Sequence, residues 1–185
     1  MVRTGDPRRH VSFTIRQLCL KLGHYADSGG PPSTSLMELG STFEDVVAKA
    51  LAERWASSTD PALRGRYVLP GELELDELIG TPDLYDVIDA CVVEVKLTKI
   101  SSRNDIESTK FWKYWVQLKT YCHMMGVTKG RLHIGHINGD YSWDKGPDIV
   151  YNVWEDDFTH TDLSNNWRMI KSHSDAYIAA DSRRS

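Results

Sequence analysis

The chain has 185 residues, enough for one compact domain with its own core. With 41% hydrophobic and 26% charged residues it has a globular balance, and no apolar run approaches the ~20 residues a bilayer span needs. Its basic start, MVRTGDPRRH, is not followed by a signal-peptide-like apolar stretch, so a cytoplasmic protein with no membrane partner is expected.

In chain order, residues 1–10 read as a frayed end. A first helix is predicted over 12–22, with Phe13, Leu18 and Leu22 among its apolar positions. Ser28-Gly29-Gly30-Pro31-Pro32-Ser33 is a breaker cluster and reads as a loop. A second helix is predicted from about Ser41 to Ala56, with a stripe of Phe43, Val47, Ala50, Leu51 and Trp55. Tyr67-Val68-Leu69 reads as a short extended piece. Ile79–Ile88 and Ala90–Leu97 read as two neighbouring strands turning near Asp89, the second dense in valine as a sheet interior is. A long helix is predicted over 109–126, stopped by Gly126, with Phe111, Trp115, Leu118, Cys122 and Met125 on one stripe. Arg131–Ile137 reads as a strand, Asn138-Gly139 as a hairpin turn, and Ile149–Trp154 as the return strand. A last amphipathic helix, 163–179, carries Trp167, Ile170 and Tyr177, and 181–185 reads as a frayed tail. This order predicts a single α/β domain, a mixed central sheet flanked by helices.

Three scattered cysteines, Cys19, Cys91 and Cys122, with no CxxC spacing, fit reduced core thiols better than a disulfide or metal framework. The net charge of -4 argues against a nucleic-acid binder when taken alone. Its distribution does not. From Lys96 to Arg131 there are eight basic residues against Asp105 and Glu107, a local +6 that leaves -10 for the rest. Such a segment suits a phosphate track, and equally an ordinary solvated helix face.

The chemistry is concentrated in Gly80-Thr81-Pro82-Asp83 and, ten residues on, Glu94-Val95-Lys96. Strand alternation places Glu94 and Lys96 on one face, and hairpin pairing places Asp83 beside Glu94. Two neighbouring carboxylates repel unless a cation joins them, and hard oxygen ligands suit Mg²⁺ or Mn²⁺. The Val95 carbonyl is a further candidate ligand. Lys96 would orient the attacking water and stabilise charge on a phosphate. The alternative is a structural ion pair, costly in a buried strand.

GTPDLYDVIDACVVEVKLTK resembles the core motif of PD-(D/E)xK nucleases, and Gln117-Leu118-Lys119-Thr120-Tyr121 is similar to the QxxxY element of their RecB-like branch. The resemblance covers roughly residues 12–126. It implies a restriction-endonuclease-like core and a metal-dependent deoxyribonuclease with Asp83, Glu94 and Lys96 at its centre. Gln117 and Tyr121 would support that centre from one helix face. Gly40-Ser41-Thr42-Phe43-Glu44 stands where many members have GxxxH. Glu44 is therefore either a metal ligand or, through the Ser41-x-x-Glu44 pattern, a helix-capping residue. The iron–sulfur cysteines of the CRISPR-associated members have no counterpart after Cys122, so no cluster is expected.

The implied ligand set is Glu44, Asp83, Glu94 and Val95, holding one or two Mg²⁺ or Mn²⁺ ions. The implied partner is DNA, as duplex ends or single strands. Lys99, Arg103, Lys110, Lys113, Trp112 and Tyr114 are the candidate substrate contacts, and His123, His133 and His136 weaker ones. An exonuclease acting in recombination, repair or phage replication is expected, alone, as a homo-oligomer, or with a recombination partner protein. A structure-specific endonuclease and a non-catalytic DNA-binding or assembly module are the alternatives.

Overall fold

A computed structural model of the chain describes residues 6–24, 34–137 and 150–181. Along the chain the elements are a 3₁₀ turn at Pro7–Arg9, α1 (Val11–Lys21), α2 (Thr34–Ala56), β1 (Tyr67–Val68), β2 (Leu73–Leu75) and β3 (Leu78–Gly80). They continue with β4 (Leu84–Asp86), β5 (Cys91–Thr98), α3 (Trp112–Met125), β6 (Lys129–His136), β7 (Val150–Asp157) and α4 (His160–Asp181).

The main sheet has the order β1-β4-β5-β6-β7. Only β5 and β6 run parallel, with α3 as the crossover between them; the other pairs are antiparallel. CVVEVKLT is buried almost throughout because it is the middle strand with helices on both faces. On one face, α1, α3 and α4 close over Val92, Leu132 and Ile134. On the other, α2 sets Ala48 against Leu84 and Val93. Gly126 ends α3 in the left-handed region (φ 69°), where its N–H reaches the Cys122 and His123 carbonyls. Cys19, Cys91 and Cys122 are buried thiols that form no disulfide.

Several boundaries differ from the expectation. Residues 6–10 are not frayed. The Asp6 carboxylate caps the 3₁₀ turn and binds Arg8, which also reaches Asp181 at 2.6 Å, and His10 bridges to Ile79. α2 begins at Thr34, seven residues before Ser41, so Ser41 lies inside the helix and cannot cap it. Its buried alanine is Ala48, two residues before the predicted Ala50, which is exposed. Leu22 and Tyr177 lie at the surface.

The predicted 79–88 strand is two strands. Pro82 has no N–H for a ladder, and the chain breaks at Thr81-Pro82-Asp83. β3 turns away to pair with β2, a strand the sequence reading passed over, through Asp76 and Glu77, both at positive φ. The 28–33 loop and the Asn138-Gly139 turn lie outside the described residues.

Candidate active site

β4 meets β5 with Leu84 opposite Val93. One step further the same register brings Asp83 opposite Glu94, as the motif requires. Because Pro82 ends the ladder there, the next part of β5 has no strand of the described residues beside it on that side. The Val95 N–H donates instead to Asp83 Oδ2 at 2.7 Å. In an extended strand the carbonyl of a residue leaves from the same edge as its N–H, so the Val95 carbonyl also faces this opening.

Lys96 lies at the centre. Its Nζ is 2.5 Å from Glu94 Oε1, 3.0 Å from Glu44 Oε1 on α2, and 3.9 Å from Asp83 Oδ2. Glu44 therefore does not cap α2; it reaches across from the helix to the lysine. Lys96 and Glu94 are buried, Glu94 almost completely so (1% exposed), while Asp83 and Glu44 are half-buried at the rim. Apart from the Lys96 contact on Oε1, neither Glu94 oxygen has a hydrogen-bond partner among the described residues.

The electrostatics follow from three carboxylates around one ammonium. Burial, then the Asp83 charge, push the Glu94 carboxyl well above the usual carboxylate range, against the pull of Lys96. Burial, offset in part by Lys96, raises Asp83 to about 6. Burial alone would lower the Lys96 pKa. Glu44, Glu94 and Asp83 outweigh it and hold the ammonium charged.

α3 faces this cluster with Tyr121 and Gln117. Gln117 Nε2 donates to the Tyr121 hydroxyl at 3.1 Å. Burial, then the Glu94 charge, raise the Tyr121 phenol strongly. Tyr121 packs directly on Gly80, where an added Cβ would lie 2.8 Å from Tyr121 Cε1 and from Met124 Sδ. The first residue of the GTPD motif thus lets α3 approach the end of β3, three residues before Asp83.

The predicted substrate contacts divide. Lys99, Arg103 and Lys110 are exposed on the loop after β5, and Lys113 is partly exposed on α3. Lys110 Nζ donates to Asn104 at 2.8 Å. Trp112 is partly exposed, one face covered by the parallel ring of His24 at 4.7 Å. Tyr114 is not at the surface; only 7% exposed, it packs in the core near Phe111. His123 stacks on Trp167, away from the site. His133 and His136 are buried on β6, with Nδ1 atoms 2.7 Å from the Tyr151 hydroxyl and the Ile100 carbonyl.

Sequence reasoning missed a second charged network near the start of β5. Asp86, fully buried, accepts from Arg66 (2.7 and 2.9 Å) and Arg131 (3.0 Å). Arg131 also binds Asp89 and Glu155. Its partners, the Tyr67 hydroxyl included, are up to 64 positions away, so no local pattern marked them, and Arg131 is no part of a free phosphate track.

A divalent cation fits the chemistry of the Asp83–Glu94 edge. The donors are hard carboxyl oxygens, three carboxyl groups share one ammonium, and Glu94 Oε2 is buried with no partner among the described residues. Among the described residues no three acidic, histidine or cysteine side chains converge closely enough to enclose an ion. Lys96 Nζ takes the place between the acids.

A mixed sheet flanked by helices, with two acids and a lysine where its central strand emerges, is the restriction-endonuclease-like fold. No family model and no curated protein matches the chain. Solved structures do. A phage-related exonuclease from Haemophilus somnus 129PT has a TM-score of 0.52 at 9% identity, covering 92% of this chain and 83% of its own. The alkaline exonuclease of Laribacter hongkongensis in complex with dAMP has a TM-score of 0.51 at 15% identity, covering 96% and 94%. The chain shares the fold of these exonucleases.

Proposed function

We propose that the protein is a Mg²⁺- or Mn²⁺-dependent deoxyribonuclease that degrades DNA from its ends. One observation carries this reading: Asp83, Glu94 and Lys96 come together at the open edge of β5, with a buried carboxyl oxygen left unpartnered among the described residues. Asp83, Glu94 and the Val95 carbonyl would hold the cation, joined by Glu44. When bound, such an ion polarises the phosphate and lowers the pKa of water.

The chain's own groups supply the rest. The Val95 N–H fixes the Asp83 carboxylate. Lys96, kept charged by the acids around it, donates to the attacking water and to the phosphate as negative charge builds there. Glu44 and Glu94 aim its ammonium. Gln117 orients the Tyr121 hydroxyl against the same edge. Lys99, Arg103, Lys110 and Lys113 lie on the following loop and helix, where they would carry the DNA backbone. Exonuclease action rests on the likeness to the two exonucleases; a role in recombination, repair or phage replication, with or without a partner protein or further copies, is part of this proposal.

Linear and covalently closed circular DNA, each incubated with Mn²⁺ or EDTA, test it. Loss of linear DNA alone, with Mn²⁺ only, is the expected result. Cutting of circles would make it an endonuclease. DNA retained uncut in every metal would make it a binding module.

A further inference from the structure

α3 presents its other flank to α4. Between them lies a cavity of about 310 Å³, outside the site described above, lined by Trp112, Trp115 and Lys119 of α3 and Asp162, Asn165 and Met169 of α4. Its volume falls at the lower end of small-molecule pockets. The walls are fixed. Trp115 Nε1 donates to the Ile106 carbonyl, Trp112 is braced by the His24 ring, and Asn166 is bonded to the Val116 carbonyl and Thr120. Asp162 is taken up by Thr159. The Trp112 indole N–H has no hydrogen-bond partner among the described residues.

We infer that this cavity receives an unpaired nucleobase of a single strand, a nucleotide-binding site separate from the Asp83–Glu94–Lys96 centre. The inference rests on the nuclease reading and names the strand form it grips. Two fixed indoles supply stacking surfaces that accept any base. The Trp112 N–H and the Asn165 amide supply donors for a base edge. Lys119 lines the cavity together with one acid, Asp162, and suits a phosphate beside the base. Trp112 is five residues before Gln117, ~7.5 Å along the helix axis and on its opposite flank. Lys110 and Lys113 flank Trp112 in sequence at the start of α3.

The test is equilibrium binding in EDTA of a fluorescent dT12 and of a 12-mer with the same phosphates but abasic sugars. Wild type should bind dT12 about tenfold more tightly, the order of one base–aromatic stack. Trp112→Ala should erase that preference without changing abasic binding, and Trp112→Phe should keep part of it. Asn165→Trp, on the exposed side of α4 and filling the mouth, should reduce it with Trp112 intact. Equal affinity of wild type for both strands, or equal losses on both in the variants, would overturn the inference. Cleavage is measured separately with Mn²⁺. Cleavage without base preference removes the pocket and leaves the nuclease; base preference without cleavage does the reverse.

Discussion

Replacing Asp83 by asparagine should make the metal-free protein more stable while destroying its activity. The Asp83 carboxyl is raised from 3.8 to about 6 in the fold, chiefly by burial. A carboxyl raised in this way favours folding below its unfolded pKa, and that contribution is lost as the pH rises through about 6. At pH 7 the side chain is ionised folded or unfolded. A shift of roughly two units at ~1.4 kcal/mol per unit then opposes folding by ~3 kcal/mol. Asparagine keeps an oxygen for the Val95 N–H and carries no charge. Since 18% of the Asp83 side chain meets solvent, ~3 kcal/mol is an upper bound. For a chain of this size it corresponds to ~6–12 °C in Tm. The advantage should shrink below ~1 kcal/mol near pH 4, where both proteins are neutral at this position. Thermal unfolding in EDTA from about pH 4 to 8 reads this directly. An Asp83→Asn variant melting at or below wild type at pH 7, or a difference independent of pH, would refute the account of a strained acidic pair.

Lys96→Ala should abolish Mn²⁺-dependent cleavage, by at least ~100-fold, and should also destabilise the metal-free protein by ~3–5 kcal/mol because three carboxylates lose their shared cation. Wild-type cleavage in that variant would remove the lysine from the mechanism, and unchanged urea unfolding would remove it from the charge balance. Gly80→Ala pushes a methyl into Tyr121 and Met124; a loss of ~1–3 kcal/mol and weaker cleavage are expected, measured by urea midpoint and by rate. Asp86→Ala strands Arg66 and Arg131. It should cost ~3–5 kcal/mol in urea unfolding, yet the folded fraction should cleave at the wild-type rate, because this network lies ~10 Å back along β5 from Glu94.

Much of this was legible because the signals were local. The valine-rich β5, the α3 stripe ending at Gly126, and the offset between Asp83 and Glu94 all follow from periodicity and turn chemistry. The missed features depend on distant partners or on backbone that hides its preference. Asp76 and Glu77 turn the β2–β3 hairpin at positive φ without a glycine, so no turn signal marked it. Pro82 was read within a strand when its missing N–H ends one. Ser41-x-x-Glu44 matched a capping box only because α2 was started too late; continued to Thr34, the helix points Glu44 at Lys96. Gly80 carried no obvious chemistry, and its role is visible only once Tyr121 lies against it.

The central claim is that the Asp83–Glu94 edge takes up a divalent cation, and calorimetric titration of Mn²⁺ near pH 6.5, in two buffers of different ionisation heat, measures that uptake and its proton count together. The account predicts binding by the wild-type chain with release of protons from the raised carboxyls, and loss of both in Asp83→Asn and Glu94→Gln. Mn²⁺ bound equally well by both variants, or not bound at all by the wild type, would contradict it.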